Sequence, residues 1–179
     1  MQKPTRRQFL QTSAAAAGAA SFAVPAIAQS RAGANDRIRV GMLGLGGRMR
    51  SHMAAVAKME PENVDIVAIC DCDQRKLDNA GKMYPEIRDK KLATFTDMRK
   101  MFDGDAIDAV SISLGDRWHS LATIWACQAG KDVYVEKPAA LNLFEANQVV
   151  AAADKYRRMV QHGTQNRSSP NIREGIEKL

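Results

Sequence analysis

The sequence is poor in several things, and each shortage excludes a class of protein. It has three cysteines, Cys70, Cys72 and Cys127, an odd number with no second pair at metal-ligand spacing. A disulfide scaffold and a zinc module are both set aside. Aromatic residues are only 6% of the chain, and no basic run is interleaved with them, which argues against nucleic acid as a partner. No internal repeat is present, and nothing is of low complexity beyond the alanine-rich start. No apolar run is long enough to cross a membrane. The longest candidate, Ser13 to Ile27, is mostly alanine and is interrupted by Gly18 and Pro25. The first 28 residues contain no acidic residue at all.

That acid-free start carries a positive signal. Thr5-Arg6-Arg7-Gln8-Phe9-Leu10 is a twin-arginine pattern, the weakly apolar run follows it, and Ala26-Ile27-Ala28 supplies small residues for cleavage. Residues 1–28 therefore read as a Tat export signal, with no stable membrane anchor and no cysteine nearby to carry a lipid. The formal net charge is +6, and removing Lys3, Arg6 and Arg7 with the signal leaves +3. Export by this route happens after folding in the reducing cytoplasm, so scarce cysteine and a periplasmic destination are compatible.

Residues 29–36 form a polar linker, and residues 37–163 carry the pattern of one domain. Ile38 to Leu43 is an almost continuous apolar run suited to a buried parallel strand. A glycine turn follows, then a helix from Gly47 to Met59. A second strand, Val64 to Cys70, ends at Asp71. Asp73 is placed to cap a helix from Gln74 to Tyr84. A short third strand lies in LATF, Thr96 or Asp97 caps a helix to Phe102, and Ala106 to Ser113 is the fourth strand. Asp116 is placed to cap a helix from Arg117 to Ala129, closed by Gly130 at its C′ position. Asp132 to Glu136 is the fifth strand. Asn142 and Glu145 read as a capping box for a helix to about Tyr156. Arg158 to Gly163 is the sixth strand, and Pro170 opens another helix. Strands alternating with helices predict an α/β fold of the Rossmann type: a doubly wound parallel sheet in the order 3-2-1-4-5-6.

Chemistry concentrates at three strand ends. Gly44, Gly46 and Gly47 with Arg48 form a turn whose backbone can approach a pyrophosphate at the following helix N-terminus. The third glycine of the usual pattern is replaced by Met49. Asp71, 25 residues after Gly46, is placed either to accept ribose hydroxyls or to stand as a solvated acid. A carboxylate there repels a 2′-phosphate and favours NAD over NADP, although Arg75 and Lys76 lie close by. Trp118 and His119 either line the cofactor cleft or pack at a helix start. Glu136-Lys137-Pro138 closes the fifth strand. Its lysine is either a solvated charge or an acid/base group whose pKa falls on desolvation in a closed cleft. Cys70 and Cys72 flank Asp71 and are expected to share a face as small buried residues.

In this order, Gly44-x-Gly46-Gly47-Arg48, Cys70-Asp71-Cys72-Asp73, Asp116-x-Trp118-His119, the run Ala129 to Pro138 and Gly163 to Ser168 resemble the Gfo/Idh/MocA oxidoreductases, and among them the Tat-exported bacterial branch. The resemblance implies a Rossmann domain followed by an α/β substrate domain, acting on sugars and polyols with NAD(P). It implies that Gly44, Gly46 and Gly47 hold the pyrophosphate, Asp71 the ribose, and Asp116 and His119 the flank of the cofactor. Lys137 is then the catalytic lysine, set in place by Glu136 and Pro138, and Gln165 lies where the chain leaves the cofactor domain. Leu114-Gly115 stands where Thr-Pro is common, and Arg117 where the exported branch often has His. By the same resemblance the substrate domain is expected to be mostly missing, with residues 164–179 as its start, so the chain is expected to bind a dinucleotide without turning over a sugar. The expected partners are a sugar-like small molecule, the Tat translocase and, through the second domain's sheet, further copies of the chain. Two alternatives stay open: an NAD-dependent glycoside hydrolase working by transient oxidation and elimination, and a non-catalytic cofactor-binding module.

Overall fold

The computed structural model describes residues 37–178. The export signal and the linker lie outside the described residues. Six strands form one parallel sheet: β1 (Ile38–Leu43), β2 (Val64–Cys70), β3 (Ala93–Phe95), β4 (Ala109–Ile112), β5 (Asp132–Glu136) and β6 (Val160–Gly163). Their order is β3-β2-β1-β4-β5-β6. The chain winds outward from β1 in one direction, then returns and winds outward in the other, so the C-terminal ends of β1 and β4 diverge and leave a crevice.

Helices cover both faces, and each face has its own core. On one side α1 (Met49–Ala57) packs over β1 and β2, burying Met42, Leu45, Met49, Met53, Ile66 and Tyr84. On the other, α4 (Met98–Phe102) and α5 (His119–Gln128) cover Leu43, Val110, Ile112 and Val135. Met49, standing where a third glycine would allow close packing, is fully buried in the first core. The departure is accommodated by making the side chain part of the helix–sheet filling.

Local signals account for the element ends. Asp73 and Asp97 each accept a hydrogen bond from the N–H two residues on, capping α2 (Gln74–Asp78) and α4. The expected helix from Gln74 to Tyr84 is broken at Asn79, which accepts the role of C-cap for α2 and then opens α3 (Ala80–Met83). Asn142 caps α6 (Leu143–Tyr156) through the Glu145 N–H at 2.9 Å. Glu145 returns to the Leu141 N–H, not to that of Asn142. After α5, Gly130 sits at φ +75, and the Lys131 N–H bonds the Ala126 carbonyl at 2.9 Å, a Schellman closure. A last helix, α7, spans Pro170–Glu177.

Asp116 does not cap a helix. Residues Asp116–Trp118 form a single 3₁₀ turn, α5 begins only at His119, and no side chain caps it. The Trp118 N–H is already taken by the Gly115 carbonyl at 2.9 Å, so the chain tightens before the helix starts.

Candidate functional site

The crevice at the diverging strand ends is a cleft of about 800 Å³. The turn after β1 forms its floor. Gly44 is at φ +90, and a Cβ there would lie 2.4 Å from the Ser113 carbonyl oxygen, so this position admits only glycine. Gly46 and Gly47 are different. A Cβ on either would meet nothing within 4 Å. Neither the backbone angle nor the protein's packing demands glycine there, and the space above them opens on the cleft. From beneath, the buried Tyr84 hydroxyl donates to the Gly46 carbonyl at 3.0 Å and fixes the turn. No local pattern announces this contact, because Tyr84 lies 38 residues away.

Asp71 closes the opposite wall. It is buried, and its carboxylate accepts the Leu45 N–H at 2.7 Å, the Asp73 N–H at 2.9 Å and the Lys76 ammonium at 3.0 Å. Burial alone would raise its pKa. The hydrogen bonds from Asp73, Lys76 and Leu45 outweigh that and hold the carboxyl below its usual range. Asp71 thus stays charged and is tied directly to the glycine turn. A carboxylate has room for about four donors, so one further site remains for a ligand hydroxyl. Arg75 does not reach this site: it forks onto Asp73, at 2.9 Å. Cys70 and Cys72 part company, one buried and the other exposed. Burial pushes the Cys70 thiol up to about 12, which removes it as a nucleophile.

The second cluster lies under the end of β5. Glu136 is 3% exposed and accepts from Arg48 Nε at 2.7 Å, from His52 Nε2 at 3.0 Å, from the Gln165 amide and from the Lys137 N–H at 3.1 Å. Burial opposes its charge, yet the donations from His52, Arg48 and the Lys137 N–H bring its pKa from 4.5 to about 2. A depressed carboxylate stabilises the fold above its unfolded-state pKa, and that stability is lost as pH falls through the folded value. The difference corresponds to something on the order of 3 kcal/mol at neutral pH. Acid melts are therefore expected to show wild type losing stability from about pH 5 downward. Glu136→Gln should start lower at pH 7, and the two curves should converge near pH 2. Parallel curves over the whole range would refute the assignment.

The predicted site residues divide as follows. Gly44, Gly46, Gly47, Arg48, Asp71 and Trp118 lie on the cleft walls, as do Leu114 and Gly115. Glu136 and Gln165 meet beneath them. Lys137 is exposed at the strand end, outside the cleft walls, and its bond to Pro138 is cis. Asp116 lies off the cleft. His119 was expected beside the cofactor but is 1% exposed, with Nδ1 2.6 Å from the Pro138 carbonyl and Nε2 3.1 Å from that of Leu114. It ties together the two loops that follow β4 and β5. Its position one residue into α5 turns the ring inward, while Trp118, one residue earlier, faces the cleft. His52 and Ser111, 2.7 Å apart, are the polar residues that sequence reasoning passed over. Among the described residues, no group of three His, Cys, Asp or Glu side chains is gathered as a metal site, and no helix is long and apolar enough to cross a membrane.

With this geometry in hand, known proteins give three kinds of likeness. Residues 38–164 match the model of the oxidoreductase family with an NAD-binding Rossmann fold, and residues 3–23 match the signal sequence of the twin-arginine translocation pathway, which directs export. Over 124 residues the chain is 36% identical to a glycosyl hydrolase family 109 protein of Shewanella baltica, and over 122 residues 33% identical to an alpha-N-acetylgalactosaminidase of Shewanella oneidensis. These alignments cover 67% and 66% of the chain but only 27% and 26% of the relatives. Among solved structures, the WlbA dehydrogenase of Bordetella pertussis, in complex with NADH and UDP-GlcNAcA, superposes with a TM-score of 0.69 at 25% identity, covering 79% of this chain and 42% of that one. Myo-inositol 2-dehydrogenase of Lactobacillus plantarum gives 0.67 at 25% identity, covering 79% and 40%.

Proposed function

The chain belongs to the Gfo/Idh/MocA oxidoreductase family through its NAD-binding Rossmann part, and from that membership we propose that it is the cofactor-binding half of an exported enzyme that moves a hydride between a sugar or polyol carbon and bound NAD. The observation that carries this reading is the pair Gly46 and Gly47, glycines that nothing in the protein itself requires, opening onto a cleft walled by the charged Asp71. The N–H groups of Gly46, Gly47 and Arg48 in the turn ahead of α1 suit a pyrophosphate, since those of Met49, Arg50 and Ser51 are already bonded to the carbonyls of Gly46, Gly47 and Arg48. The last acceptor site of Asp71 suits a ribose hydroxyl. NAD is favoured over NADP because a 2′-phosphate would meet that carboxylate, while the two nearby cations are engaged, Lys76 by Asp71 and Arg75 by Asp73. When bound, the nicotinamide supplies the hydride acceptor or donor. Lys137, at the end of β5, takes up the hydroxyl proton of the substrate.

The test is a substitution that adds volume only where the ligand should be. Gly46→Ala is expected to leave the melting temperature unchanged and to weaken NAD binding, followed by calorimetry, by roughly tenfold to a hundredfold, the worth of one or two displaced charge-assisted hydrogen bonds. Unchanged affinity would take the dinucleotide out of this cleft.

A second reading is favoured by the identity of the curated relatives, 33–36% to glycoside hydrolases against 25% to the solved dehydrogenases. In it the hydride is returned after elimination of a glycosidic substituent, with no net redox change. Incubation of the enzyme with aryl N-acetylhexosaminides separates the two: aglycone release without accumulating NADH selects the hydrolase, and stoichiometric NADH selects the dehydrogenase.

A further inference from the structure

Beneath the cleft, three buried polar side chains stand in a row. Ser111 Oγ of β4 is 2.7 Å from His52 Nδ1 of α1, and His52 Nε2 is 3.0 Å from Glu136 Oε1 of β5. Serine, histidine and glutamate in that order resemble a nucleophile, its base and the acid that orients it. The location rules this out. Ser111 is 5% exposed, in a strand flanked by β1 and β5, and is not on the cleft wall, so no substrate carbonyl reaches its hydroxyl.

The row has another use. An ionised Glu136 only accepts, so His52 Nε2 carries the proton that faces it, and Nδ1 shares a hydrogen bond with the Ser111 hydroxyl. The edge of the ring is also packed against Tyr134, with centroids 5.3 Å apart and planes at 86°. His52 is therefore held at both nitrogens and at its side, and it is 6% exposed. The other side chains on Glu136 are less constrained. Arg48 is half-exposed, and Gln165 comes from an exposed turn after β6. Glu136 in turn holds the Lys137 N–H with its second oxygen, Oε2.

We propose that His52 is a positioning residue for Lys137: it fixes the Glu136 carboxylate from the sheet side, and Glu136 fixes the main chain from which the lysine projects. The catalytic consequence rests on Lys137 having the role given above, but the structural relay does not.

Two variants split the ring's functions. His52→Asn keeps a polar atom near Ser111 and is too short for Glu136. His52→Gln keeps a donor at the reach of Nε2. Amide hydrogen exchange by NMR on the purified chain reads the result. In His52→Asn the Lys137 amide is expected to exchange roughly tenfold faster, as befits a weakened hydrogen bond to a charged group, with amides of β1 and β4 unchanged. In His52→Gln it should stay within about twofold of wild type. Ser111→Ala, which frees Nδ1 without enlarging the site, should shift the same amide in the same direction. The proposal is overturned by an unchanged Lys137 amide in His52→Asn or in Ser111→Ala, by uniform acceleration across β1, β4 and β5, or by His52→Gln behaving like His52→Asn. NAD titration of the wild-type sample keeps the two questions apart. Absence of binding would remove the cofactor reading and leave the exchange comparison standing.

Discussion

Replacing Gly44 by alanine is expected to cost about 2–6 kcal/mol of stability and to lower the melting temperature by roughly 6–24 °C. Two costs add. At φ +90 an L side chain crowds its own backbone, worth about 1–3 kcal/mol. The new Cβ would also lie 2.4 Å from the Ser113 oxygen, 2.8 Å from its carbonyl carbon and 2.9 Å from Leu114 Cδ2. Two of those atoms are backbone and cannot rotate away. They are also pinned: the Gly44 N–H bonds the Cys70 carbonyl at 2.8 Å, and the Ser113 N–H bonds the Leu43 carbonyl at 2.9 Å. Relief therefore means separating β1 from β4 at the mouth of the cleft, an overpacking cost of about 1–3 kcal/mol more. NAD binding should fall along with stability. Gly46→Ala, two residues on, should lose binding alone. Thermal melts of the two variants side by side make the comparison, and a Gly44→Ala melt within about 2 °C of wild type would show that the turn is softer than this geometry allows.

The contrast between those two glycines marks what a sequence can and cannot display. Three glycines after an apolar strand announce a turn that approaches a phosphate, and the strand order followed from βα alternation, because right-handed crossovers leave few ways to wind a parallel sheet. Periodicity and caps located Asp73, Asn142 and Gly130, and left the cap of α4 between Thr96 and Asp97, of which Asp97 serves. Which glycine the backbone requires and which merely faces open space is a three-dimensional fact, set by Ser113 arriving from another strand. His52 was invisible for the same reason. On the helix it is a polar interruption in an apolar face, and its partners are 59 and 84 residues away. His119 shows the opposite error. Adjacent to Trp118, it reads as half of a cleft-facing pair, but successive helical residues point about 100° apart, and only one of the two can face the cleft. Asp116 failed as a cap because the preceding Gly115 carbonyl had already satisfied the N–H a cap would take. Burial of Asp71 and Glu136 was equally out of reach, since each depends on donors brought together by the sheet order.

On the role proposed for Lys137, Lys137→Ala is expected to slow hydride transfer by roughly 10²- to 10⁴-fold, the usual worth of a general acid/base, while leaving NAD affinity within about threefold. The backbone around Lys137 is held on both sides. Its own N–H is on Glu136 Oε2 at 3.1 Å, and the carbonyl of Pro138 is 2.6 Å from His119 Nδ1. The side chain itself is exposed and makes no bond that the fold depends on. Truncation therefore removes the amino group without disturbing its mount, and stability should change by no more than about 0.5 kcal/mol. Because Lys137 is not on the cleft wall, the loss should appear in kcat and not in cofactor binding. Lys137→Arg separates proton transfer from charge. A guanidinium keeps its proton at any pH the enzyme meets, so arginine should restore substrate attraction but not the rate. Added primary amines should restore part of the rate to the alanine variant and none to the arginine variant, whose side chain fills the space. If Lys137→Ala weakens NAD binding as much as it slows turnover, the lysine belongs to the cofactor site. If neither changes, the proton leaves by another residue, and the pinned strand end serves only the fold.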